Sequence, residues 1–198
     1  MDVYKIFYRA YYEWRKKTLL DIDGKKYGLT EENYFESVLQ PTSLTEGDFN
    51  KYERKSGLTF PVSFKKYYSS CFSLEKNFQL PVIQLVAAWK EDPFKPLKDL
   101  LFENRYSATM RKNGLIPVGT WHGNFYICLD TNAGNQYDMP ITLYDLHDGD
   151  KPDEAISPKH WFSSFEKFIA CMTDYIKNGT DDNFNTIDPA NNYMTAYE

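Results

Sequence analysis

The stretch Leu44–Ser70, LTEGDFNKYERKSGLTFPVSFKKYYSS, constrains the fold more than any other part of the chain. Thr45 stands where a helix N-cap belongs, and Asp48, three residues on, supplies the acidic half of a capping box. Leu44 and Phe49 are spaced for a hydrophobic staple across that cap. Gly57 suits the left-handed residue that ends a helix, and Pro61 suits the first turn of the next. Phe60, Phe64, Tyr67 and Tyr68 then make one apolar face. The expectation is two short helices meeting at a Gly57–Pro61 corner, with aromatic rings turned toward a core.

A chain of 198 residues can bury such a core in one domain. Its 42% hydrophobic and 17% aromatic content places it among globular rather than disordered sequences. No apolar run approaches a membrane span, and the first residues lack the uncharged core of a signal peptide. Cys71, Cys128 and Cys171 lie far apart among apolar neighbours, which predicts buried free thiols and a cytoplasmic location. Charge is segregated. Residues 1–129 carry 19 Lys and Arg against 15 Asp and Glu, whereas residues 130–198 carry 4 against 13. The acidic half keeps a protein soluble or receives a basic partner, and it does not suit direct nucleic-acid binding.

Outside the corner, Tyr4–Leu20 has the spacing of an amphipathic helix, Asp21–Gly24 reads as a turn, and Thr30 caps a short helix through Leu39. Leu80–Trp89 reads as one strand and Pro93–Asn113 as helical. From Leu115 the period becomes strand-like. Strands are expected over Leu115–Trp121, Asn124–Asp130 and Ile141–Leu146, with a tight hairpin at His122-Gly123-Asn124. Ser157-Pro158 reads as the start of a last helix, whose apolar stripe runs from Trp161 to Ile176. The expected fold is α+β: an antiparallel sheet of short strands covered by helices on one face. Residues 1–40 are expected to be a helical extension packed on a domain of residues 41–178, and residues 179–198 an acidic, fraying tail.

The segment LIPVGTWHGNFYICLD (115–130), a polar loop, and ITLYDLHDGD (141–150) together resemble the body of the SMI1/KNR4 family of the SUKH superfamily. Glu53, Gly57-Leu58 and Phe60-Pro61 resemble that family's helix corner, and Ser164–Ile169 its closing helix. The likeness spans roughly residues 40–175. It departs at Ser69–Phe72, where the family has Asn-Gly, and at the charged Lys90–Pro96 loop. The resemblance implies no catalysis and no cofactor. Bacterial proteins of this kind are mostly immunity proteins that bind and neutralise a cognate toxin, often a basic nuclease or deaminase domain. Fungal members are regulators, so a regulatory or scaffold module without a toxin is the alternative.

Asp145, His147, Asp148, Asp150, Asp153 and Glu154 are the most enzyme-like cluster, as a hard-cation or hydrolase site would need several carboxylates. Their spacing fails the calcium loop, and no nucleophile motif accompanies them, so a small metal-dependent hydrolase is the least favoured reading. Three scattered histidines make no zinc site. A protein partner remains the better use of these residues. Asp130, Asp138, Asp145, His147, Asp148 and Asp150 are expected to steer it, with Trp121, His122 and Tyr144 as aromatic anchors.

Overall fold

The computed structural model describes residues 2–80, 82–123, 125–145 and 160–178. Helix α1 (Val3–Thr18) starts where the Asp2 carboxylate accepts the Tyr4 N–H at 3.0 Å. Its winding does not stop at the expected Asp21–Gly24 turn. It loosens into a π-helical turn at Leu19–Asp23, tightens as α2 (Gly24–Tyr27) and ends at Gly28, whose φ is +64°. Thr30 and Asn33 then exchange side-chain to backbone hydrogen bonds ahead of α3 (Tyr34–Val38).

The helix corner forms as its sequence predicts. Thr45 and Asp48 close a reciprocal capping box on α4 (Glu46–Ser56), and Gly57 ends it at φ +71°. Glu53 locks the corner: its carboxylate accepts the Phe60 N–H at 2.7 Å and binds Lys65 Nζ at 2.9 Å. The next helix, α5 (Val62–Ser70), has no side-chain cap of its own. Its first N–H groups, from Val62 and Ser63, donate instead to the carbonyls of Gln136 and Tyr137, each at 2.9 Å.

Six strands follow in one antiparallel sheet whose spatial order is the chain order: β1 (Asn77–Gln79), β2 (Ile83–Val86), β3 (Leu115–Trp121), β4 (Phe125–Asp130), β5 (Ile141–Asp145) and β6 (His160–Phe162). The run expected as a single strand from Leu80 is thus the second half of a hairpin, closed by Leu80 N–H donating to the Ile83 carbonyl at 2.8 Å. The expected start of the last helix at Ser157-Pro158 lies outside the described residues. His160–Phe162 pairs with Ile141 and Thr142, and α8 spans Phe165–Asn178. Its first N–H groups are met by the Asp138 carboxylate (Phe165, 3.0 Å; Glu166, 3.4 Å) and the Ser164 hydroxyl (Lys167, 3.1 Å).

Ile116, Val118, Ile127, Leu129 and Ile141 join one large apolar cluster with α1, α5 and α8, which pack against one another. This core is built of rings. Phe78 lies 4.5–5.4 Å from Tyr11, Tyr8 and Phe7, and Phe165 lies 5.3–5.5 Å from Tyr67 and Phe64. The buried phenols keep hydrogen bonds: Tyr67 to the Val86 carbonyl, Tyr68 to that of Pro93 and Tyr34 to that of Tyr12, at 2.6–2.9 Å. The opposite face carries a smaller cluster of Leu115, Tyr126, Cys128, Tyr144 and Met110. It is roofed by an arm made of α6 (Lys95–Lys98), a π-helical turn (Asp99–Glu103) and α7 (Ser107–Lys112).

The Tyr52 hydroxyl, between α4 and this arm, is buried and has no hydrogen-bond partner among the described residues. Burial pushes its pKa up to about 12. Because an unpaired buried hydroxyl is a net cost, Tyr52→Phe is expected to raise stability by about 0.5–1 kcal/mol, read as a higher urea midpoint. An unchanged or lower midpoint would show that the hydroxyl is satisfied in solution.

Candidate partner-binding surface

One end of the sheet gathers the aromatic candidates. The β3–β4 turn places His122 and Gly123 in the left-handed region, at φ +49° and +71°. The His122 N–H is tied to the Val82 carbonyl at 2.7 Å, so this turn is braced by the neighbouring β1–β2 hairpin. Across the sheet, Ile83, Trp121, Phe125 and Asp145 form one rung. The partly buried Trp121 indole has ring centroids 5.0 Å from Phe125, 5.0 Å from His122 and 5.4 Å from Trp161. Its Nε1–H is buried without a hydrogen-bond partner among the described residues. His122 is exposed beside it.

Acidity enters at the same end. The β5 backbone ends with Asp145 in the Trp121 rung, whereas β6 begins with His160 paired to Thr142, further back along β5. The acidic connection thus follows directly on the Trp121 rung in the chain. His147, Asp148 and Asp150 belong to that connection and lie outside the described residues.

Three sequence-derived candidates do not belong to this surface. Asp130 pairs with Leu115 at the far end of the hairpin, is 2% exposed, and accepts the Asn132 N–H at 2.9 Å. Asp138 accepts four hydrogen bonds, from the Ser63 hydroxyl and the N–H groups of Met139, Phe165 and Glu166. It joins α5 to α8 rather than facing solvent with a free carboxylate. Tyr144 is buried in the smaller cluster beneath the arm. Position in an acidic run does not reveal which carboxylates the backbone recruits, so composition alone does not separate Asp130 and Asp138 from the acids beyond Asp145. Phe125 and Trp161 complete the aromatic cluster and were not singled out from sequence; the spacing of Trp121 and Phe125 across the hairpin turn is the signal that points to the first of them.

The described thiols are held protonated. Burial pushes Cys71 up to about 11 and Cys171 up to about 12, and it raises Cys128 further. No three His, Cys, Asp or Glu side chains come together in a metal-binding arrangement among the described residues. No helix among them is long and apolar enough to cross a membrane.

No curated protein matches the chain. The model of the SMI1/KNR4 family (SUKH-1) matches residues 43–171. That span runs from the residues just before α4 through the whole sheet and into α8, so it includes the helix corner, the Trp121 hairpin and both strands that flank the acidic connection. With about two thirds of its length matched, this chain belongs to the SMI1/KNR4 family.

Proposed function

We propose that this protein is a non-enzymatic, cytoplasmic immunity protein that binds and neutralises a cognate toxin with a basic nuclease or deaminase domain. The observation that carries the reading is the meeting, on a family-matched sheet, of a partly exposed aromatic cluster with the strand end that leads into an acidic connection. Toxin domains that act on nucleic acid present cations to phosphate. A carboxylate-rich edge steers such a surface in, and a rigid Trp–Phe cluster supplies the contact that slows dissociation.

The test is capture of the product of the neighbouring gene by the purified protein, followed by rescue of growth on co-expression. With that pair in hand, Asp148→Lys plus Asp150→Lys is expected to slow association about tenfold at low salt and much less at high salt, with an unchanged melting curve. Association rates indifferent to both charge and salt would remove the electrostatic part of the proposal. A protein that binds cellular partners yet rescues no toxin would instead favour a regulatory module of the same family.

A further inference from the structure

A second surface, on the opposite charge balance, lies between α4 and the arm. Tyr52, Lys55 and Ser56 form one wall and Asp92, Phe94, Lys95, Lys98 and Phe102 the other, around a groove of about 500 Å³. The Tyr52 and Phe94 rings stack at 4.7 Å and 10°, giving an apolar floor. At the rim Phe102 is 41% exposed, a rare state for a large apolar side chain among the described residues. The Arg111 guanidinium sits 4.5 Å over its ring. Of the groove lysines, Lys95 is engaged by Asp99 at 3.0 Å. Lys55 and Lys98 have no ion-pair partner among the described residues, and they stand on opposite walls.

We propose that this groove docks an acidic polypeptide segment carrying an aromatic ring. The ring would rest on Phe94 and Phe102, and flanking carboxylates would meet Lys55 on one wall and Lys98 and Arg111 on the other. The charge balance selects this occupant: with Lys95 engaged by Asp99, Lys55 and Lys98 still outnumber the one lining carboxylate, Asp92, so a basic segment is disfavoured. The Phe102 ring is also a stacking surface, with the guanidinium over one side and part of the ring open to solvent. This site takes the opposite charge to the Trp121 end and does not depend on the toxin reading.

The probe is a capped pentapeptide with one phenylalanine between two pairs of glutamates, titrated into the full chain and followed by amide chemical shifts. Two control peptides replace the glutamates by lysines, or the phenylalanine by alanine. The expected result is binding at least about tenfold tighter than either control, with shifts centred on α4 and the arm. Lys55→Glu with Lys98→Glu should weaken it about tenfold and Phe102→Ala about fivefold. Because Lys55 and Lys98 are exposed, the double variant is expected to melt like the parent chain. Absence of binding, equal binding of the lysine peptide, or affinity indifferent to both Phe102→Ala and the double charge reversal would overturn the proposal.

Discussion

Asp138→Ala is expected to lower the unfolding free energy by about 3 kcal/mol, seen as a drop in urea midpoint at constant m-value. The half-buried carboxylate accepts the Ser63 hydroxyl at 2.7 Å and the backbone N–H groups of Met139, Phe165 and Glu166 at 2.9–3.4 Å. Two of these donors belong to the first turn of α8, where the helix dipole also favours a negative charge. Alanine leaves all four donors without this acceptor. Loss of an N-cap costs roughly 0.5–2 kcal/mol, and each charge-assisted bond to a partly buried donor adds to it, which sets the magnitude. Asp138→Asn keeps one oxygen and is expected to lose about half as much. Ser63→Ala, which removes a single donor, should cost about 1 kcal/mol. A loss below 1 kcal/mol for Asp138→Ala, together with impaired partner binding, would return Asp138 to the interface and refute its role as a cap.

Gly119→Ala is expected to destabilise by about 3 kcal/mol, although alanine has the better backbone entropy. Gly119 sits at the irregularity where the β3–β4 register shifts between Pro117 and Gly119, and on its other side it faces Leu85 of β2. A Cβ built there would lie 2.2 Å from the Gln84 carbonyl oxygen and 2.9 Å from Leu85 Cδ2. The first clash is with backbone, so no side-chain rotation relieves it and β2 must move away. Its φ is not in the left-handed region, so the reason for glycine here is close approach and not conformation. Hydrogen exchange should locate the damage: amides of the β1–β2 hairpin lose protection first, while those of β4 and β5 keep most of theirs. Uniform loss across the sheet, or none, would contradict the assignment.

These two residues mark the boundary of what the sequence could show. The Thr45–Asp48 box, the Gly57 stop and the His122-Gly123 turn were legible because each is completed by partners a few residues away. The start of α8 was not. Its expected cap at Ser157-Pro158 obeyed the local rule, but the helix takes its cap from Ser164 and from Asp138, which lies 27 residues before Phe165. Trp161 and Phe165 fit a helical stripe, yet Trp161 reaches the core from a strand. An apolar pair four residues apart is compatible with both.

The candidate site divides the same way. That Trp121, His122 and Asp145 lie near one another could be anticipated, since the first two flank a hairpin turn and the third ends a strand. Asp130, Asp138 and Tyr144 were chosen for charge and aromaticity, properties that do not say which face of a strand or which helix end a side chain serves. The sequence by itself determined the family, the α+β class, the helix corner and the segregation of charge, since all of these reside in local spacing and composition. Only the tertiary structure decided which carboxylates are structural and that rings from α1, outside the family-matched span, complete the core. Only it, too, set Lys55 and Lys98 on facing walls of one groove. Those are relations between residues tens of positions apart, created when burial of the aromatic faces brings the helices onto the sheet.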